Sequence, residues 1–159
     1  GADGAKARWE AIKAAERAGK AGRKGAAASL LDDVPNALPA LARAEKLSRR
    51  AATVAFDWPD WQTTLGKVEE ELAEVRAAAA SGDKDQVVEE LGDLLFAVAN
   101  LARKLDVDPE AALRDANVKF ARRFRHVEER ARADGIALAE AGLERLDGYW
   151  NEIRAAERR

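Results

Sequence analysis

The chain has 159 residues, 27 of them basic and 29 acidic, for a formal net charge of −2. That length supports one compact domain with a real core, and the near-neutral balance excludes a bulk electrostatic case for a nucleic acid polymer or a membrane as partner. Cysteine is absent, which excludes a disulfide framework and thiolate metal sites and fits a reducing cytoplasm.

Ala, Leu, Glu and Arg dominate and alternating apolar patterns are missing, which predicts an all-α helical bundle. A first helix is expected over residues 6–17. Gly19, Gly22 and Gly25, mixed with Lys and Ala, then read as a flexible connector over 18–28. Pro35 and Pro39 punctuate the entry to a second helix ending near Phe56, and Asp57-Trp58-Pro59-Asp60 breaks the chain again. The third helix, 61–79, carries the apolar stripe Leu65, Val68, Leu72 and Val75 at spacings of three and four. The fourth covers 84–105. Asp108 as N-cap and Pro109 at the first helical position open a fifth, with the stripe Leu113, Ala116, Phe120, Phe124 and Val127. Asp134-Gly135 closes it, and a last helix covers 140–156. No internal repeat is evident. No run approaches the roughly 20 apolar residues of a membrane span, and no signal peptide is visible. The chain begins at Gly1 and contains no Met, so a processed start or a piece of a longer protein is expected.

Four acids stand symmetrically about the turn Ser81-Gly82-Asp83. Glu74 and Glu90 lie eight residues before and after Gly82, and Glu71 and Asp93 lie eleven before and after it. Each pair is spaced i, i+3 and shares a helix face. Folded as an antiparallel hairpin, the segments bring Glu71 to Asp93 and Glu74 to Glu90, roughly 12–16 Å from the turn at about 1.5 Å per residue. An isolated Glu run such as Glu69-Glu70-Glu71 is ordinarily a solvated face. The fourth helix argues otherwise: from Leu94 to Ala102 it is apolar nearly all round and is expected to be buried. Asp93 edges that run, and Asn100 lies seven residues on, along the same face. A carboxylate there needs a cationic partner, yet no basic residue occurs between Gln86 and Leu101.

Oxygen-only ligation by Glu71, Glu74, Glu90 and Asp93 suits a hard cation, Mg2+, Mn2+ or Ca2+. A di-iron bundle would need two Glu-x-x-His motifs, and the single histidine, His126, reads as a surface residue. Mg2+ favours few carboxylates plus a phosphate-bearing substrate, so a metal-dependent phosphate site is expected. Lys119 and Arg123, spaced i, i+4 beside the apolar stripe of the fifth helix, fit phosphate contacts and solvated side chains equally on spacing alone. Arg122, Arg125 and Arg130 read as solvated. Trp150 continues a stripe with Leu143, Leu146 and Ile153 and is core by default. With Arg154 at i, i+4 a base-stacking role stays open.

Glu70-Glu71-x-x-Glu74, then 15 residues, then Glu90-x-x-Asp93, resembles the EExxE–ExxD signature of the all-α nucleoside triphosphate pyrophosphohydrolases, MazG proteins among them. Further blocks carry the resemblance: Trp9-Glu-x-Ile-Lys, Val34-Pro-Asn-Ala-Leu-Pro-Ala-Leu, Phe56-Asp-Trp, Lys67-Val-Glu-Glu-Glu-Leu-x-Glu-Val, Glu89-Glu-Leu-Gly-Asp-Leu-Leu-Phe, Asn100-Leu-Ala-Arg, Asn117-x-Lys-Phe-x-Arg-Arg-Phe and Trp150. It covers nearly the whole chain except 18–28. It implies an N-terminal helix and connector, 1–28, before a catalytic helical domain, 29–159, resembling the C-terminal one of a tandem pair. It implies Mg2+-dependent hydrolysis of ribo- and deoxyribonucleoside triphosphates to monophosphate and pyrophosphate, a cytoplasmic homodimer, and housecleaning of non-canonical nucleotides. Glu71, Glu74, Glu90 and Asp93 match the metal ligands, with Mn2+ able to substitute. Lys119, Arg123 and Trp150 match nucleotide positions, and Asn100, Asn117 and Arg154 join them as substrate candidates. At Arg154 a relative has lysine, which keeps charge but not the planar fork.

The expected mechanism has Glu70 or Glu71 take a proton from metal-activated water. Lys119 and Arg123 then stabilise phosphate charge. Two rival readings are a dUTP- or dCTP-selective pyrophosphatase of the same superfamily and a non-catalytic helical dimerisation module with a structural cation.

Overall fold

The computed structural model describes residues 2–22 and 27–159. Among them there is no strand. The helices are α1 (Ala2–Gly22), α2 (Ala40–Ala52), α3 (Trp61–Ser81), α4 (Lys84–Lys104), α5 (Pro109–Ala133), α6 (Leu138–Ala141) and α7 (Leu143–Glu157). They fall into two compact units, one up to Glu110 and one from Ala111 to Arg159.

The expected elements appear with shifted ends. α1 runs on through Gly22, so helix replaces the first part of the expected connector; residues 23–26 lie outside the described residues, and 27–28 carry no regular structure. α2 stops at Ala52, short of Phe56. The expected last helix is two, because Gly142 between them has φ 77° and ψ 154°, a conformation that ends helical hydrogen bonding and favours glycine.

In the first unit, α3 and α4 form the antiparallel hairpin and α2 packs on α4. Capping fixes the hairpin's register. Asp60 accepts from Thr63 N at 2.7 Å to start α3, and Gly82, at φ 77°, ends it in the left-handed region. Asp83 then accepts from Asp85 N at 3.1 Å and Gln86 N at 3.3 Å to start α4. At the start of α2, where Pro39 offers no side-chain cap, the Glu110 carboxylate accepts from Ala42 N at 3.3 Å, placing negative charge at a helix N-terminus.

The buried row of α3 is Thr64, Glu71 and Ala78, seven residues apart and so on one face. α4 buries Ala97, Ala99 and Asn100. Small and polar residues therefore form the seam. The expectation of a fully buried fourth helix is corrected within this chain: Leu95, Phe96 and Val98 are 51%, 42% and 41% exposed. Leu65 and Leu72 of the α3 stripe are exposed too.

Beyond the seam, Arg103 of α4 is nearly enclosed. Its Nη1 and Nη2 donate to Asp57 Oδ2 and Oδ1 at 3.0 and 2.6 Å. Its Nε donates to Ser48 Oγ of α2 at 3.0 Å, and Nη2 also reaches Asn100 Oδ1 at 3.0 Å. Lys104 Nζ adds bonds to Asp57 Oδ2 at 3.1 Å and Trp58 O at 2.8 Å. The Asp57-Trp58 break is thus tied to α2 and α4 by bidentate, charge-assisted bonds.

In the second unit, Val127, Ala131 and Tyr149 form a small core with Leu138, Leu146 and Trp150 against it. Arg122 and Arg123 pair with Glu157, and Arg130 and His126 with Glu152. Arg122 stays exposed, as expected, while pairing with Glu157 of α7, and Arg130 is half-buried beside Glu152. Tyr149 Oη donates to Asp134.

The guanidinium of Arg103, opposed by desolvation and aided by Lys104, holds Asp57 down to about 2. Because the folded value lies below the ordinary 3.8, this stabilisation is present above that pH and is lost as pH falls through about 2. Asp57→Ala leaves Arg103 enclosed without its anion and should cost about 3 kcal/mol of unfolding free energy. Urea titration at neutral pH measures that loss, and the wild-type and variant curves should converge on acidification.

Candidate metal centre

Glu71 on α3 and Glu90 and Asp93 on α4 each offer a carboxylate oxygen within 4.8 Å of the others. Glu71 is 5% exposed, Glu90 is half-buried and Asp93 is exposed. The burial argument made from sequence at Asp93 thus belongs to Glu71, which sits mid-row in the α3 seam where an apolar residue would ordinarily pack. Oε2 of Glu71 and Oε2 of Glu90 are buried without a hydrogen-bond partner, an arrangement that costs free energy unless a cation joins them.

Glu74, the fourth expected acid, is exposed and faces Glu90. Two carboxyl groups hydrogen-bond only while one keeps its proton. That contact, then desolvation, then the charges of Glu74, Asp93 and Glu71 push Glu90 up to about 7. The donor set is all oxygen, clustered and over-charged, and it fits a hard divalent cation.

The cation found beside the cluster is one the sequence reading passed over. Lys67 Nζ lies 2.9 Å from Glu71 Oε1 and 3.4 Å from Glu70 Oε1. The i, i+4 spacing from Lys67 to Glu71 was the available signal. Glu70 points outward, 59% exposed at its side chain. Asn100 is 1% exposed. Its Nδ2 donates to Phe96 O at 3.0 Å and its Oδ1 accepts from Arg103, so its amide is committed within the first unit.

The remaining candidates belong to the second unit. Asn117, Lys119 and Arg154 are exposed. Arg123 lies 5.7 Å from the Trp150 ring centroid and 2.9 Å from Glu157. Phe120 is tilted against Trp150 at 5.4 Å. Arg123 and Trp150 are therefore neighbours, with Trp150 half-buried on the local core.

Glu90 titrates above its ordinary 4.5 in the folded, metal-free chain, so stability present below that pH should be lost as pH rises towards about 7. Thermal unfolding across pH 4–8 in chelator should show this loss, and Mg2+ or Mn2+ should abolish it above pH 7 by joining the ionised acids. Glu90→Gln should flatten the pH dependence and remove the response to metal.

Residues 60–128 match the family described as MazG nucleotide pyrophosphohydrolase domain. The chain is 46% identical over 153 residues to an Escherichia coli (strain K12) protein named nucleoside triphosphate pyrophosphohydrolase, covering 95% of this chain and 56% of that one. It is 40% identical over 149 residues to a Thermotoga maritima protein named nucleoside triphosphate pyrophosphohydrolase/pyrophosphatase MazG, with 94% and 55% covered. It is 43% identical over 154 residues to the uncharacterized protein YabN of Bacillus subtilis, with 96% and 30% covered. The chain spans about half the length of the first two relatives. The segment that matches the MazG family, residues 60–128, contains the whole acidic cluster and Lys67.

Proposed function

We propose that the chain is a divalent-cation-dependent nucleoside triphosphate pyrophosphohydrolase, using water to split ribo- and deoxyribonucleoside triphosphates into monophosphate and pyrophosphate. The observation that carries this reading is the convergence of Glu71, Glu90 and Asp93, with two buried oxygens left unpartnered, inside a MazG domain. Relatives named for this activity support it.

Glu71, Glu74, Glu90 and Asp93 would hold Mg2+, which when bound polarises phosphate oxygens and acidifies water. Glu70 is the better general base of the two candidates. Its carboxylate is exposed, whereas Glu71 is enclosed and committed to the cation. Lys119 and Arg123 supply positive charge for the phosphates, and Trp150, with Asn117 and Arg154, serves the nucleoside. Asn100 serves more indirectly, through the shape of the α4 seam. A nucleotide-pool role in the cytoplasm accords with this chemistry. No helix among the described residues is long and apolar enough to cross a membrane.

A second copy of the chain would cover the apolar side chains that the hairpin leaves open, Leu72, Leu91, Leu95, Phe96 and Val98 among them. Their exposure exceeds what isolated surface apolar residues require, and a homodimer follows as the simplest cover. Sedimentation velocity should return twice the chain mass, and Leu95→Glu with Phe96→Glu should return the single chain.

Single alanine substitutions at Glu71, Glu74, Glu90 and Asp93 should each lower Mg2+-dependent pyrophosphate release on the order of 100-fold or more. The assay should run across canonical and modified triphosphates with products identified. Retained activity in all four variants would sink the assignment, and turnover confined to one pyrimidine triphosphate would favour a base-selective enzyme.

A further inference from the structure

A tight acidic cluster needs positive charge in every state of the protein, including the one without a metal. α4 offers none between Gln86 and Leu101. α3 offers Lys67, one turn before Glu71, with its ammonium 2.9 Å from Glu71 Oε1 while Glu71 Oε2 stays buried and unpartnered. The lysine side chain is 33% exposed against 7% for that of Glu71, so the ammonium approaches from the solvent side and can leave without disturbing the seam. A second acceptor is at hand, since Glu70 Oε1 lies 3.4 Å from the same nitrogen.

We propose that Lys67 is a built-in stand-in cation: it neutralises Glu71 when no divalent ion is present, and binding of the ion displaces it towards Glu70. This rests on the reading of the four acids as a cation site. A lysine in this role competes with the metal. It keeps the metal-free chain folded around its crowded acids, and it raises the metal concentration at which the site fills. A lysine that merely orients Glu71 does the opposite: it prepares the ligand, so its removal weakens metal binding. The two roles therefore differ in the sign of one measurement.

The test uses the full chain, without nucleotide, as wild type, Lys67→Met, Lys67→Gln and Lys67→Arg. Thermal unfolding is recorded in chelator and in Mg2+, and Mg2+ binding is measured by calorimetry. Lys67→Met and Lys67→Gln should melt at lower temperature than wild type in chelator. They should bind Mg2+ about three- to tenfold more tightly, as loss of a nearby like charge requires. Their gain in melting temperature on adding Mg2+ should exceed the wild-type gain. Lys67→Arg should follow wild type. Equal or weaker Mg2+ binding by the two neutral variants, with wild type binding normally, overturns the stand-in role and leaves the metal site intact. Absence of Mg2+ binding by wild type and variants alike overturns the metal site and the stand-in role together.

Discussion

Repulsion among carboxylates governs the first unit. Holding Glu71, Glu90 and Asp93 oxygens within 4.8 Å opposes folding unless something positive enters or a proton stays. The chain answers with the ammonium of Lys67 on Glu71, and Glu74 beside Glu90 pushes the Glu90 carboxyl up to about 7. The packing that tolerates this crowd is made of small and polar residues. Thr64 and Ala78 share the buried face of α3 with Glu71, and Ala97, Ala99 and Asn100 are the buried residues of α4, which packs on both α3 and α2. Small side chains let the two backbones approach, and close backbones bring the acids together.

The network around Arg103 secures the same helix farther along. Its guanidinium collects Asp57, Ser48 and Asn100, so α2, the interhelical break and α4 share one set of charge-assisted bonds. One end of α4 is thus held by satisfied charge and the other carries charge left unsatisfied. The contrast separates structural polarity from functional polarity within a single helix: each donor of the Arg103 network has an acceptor, whereas the buried oxygens of Glu71 and Glu90 do not.

Much of this was legible in the residues. The starts of α3, α4 and α5 followed from the break at Asp57-Trp58-Pro59-Asp60, the turn at Ser81-Gly82-Asp83 and the cap at Asp108-Pro109, because turn and cap chemistry is local. The acidic cluster followed from equal spacing about Gly82, because helical rise is constant. Burial was harder to read. Leu95, Phe96 and Val98 suggested an enclosed helix, yet the seam chose Ala97, Ala99 and Asn100; apolarity does not reveal which of several apolar faces a partner helix takes. The same ambiguity moved the buried acid from Asp93 to Glu71. Lys67 was not legible as the cluster's cation because i, i+4 Lys–Glu pairs are common on solvated helix faces and only the burial of Glu71 singles this one out. Gly142 went unmarked because a lone glycine near a helix start has no fixed meaning until its φ is known.

The turn at Gly82 has a consequence for how the hairpin can vary. Eight and eleven residues separate it from the acids on each arm, so the turn works as the zero of a two-armed ruler. Adding one residue to a single arm rotates its acids by about 100° and lifts them about 1.5 Å past their partners. Adding about seven to both arms preserves face and height together. Length changes compatible with the site are therefore paired and come in steps of two turns, and a hairpin of this kind can lengthen away from its turn far more readily than it can drift.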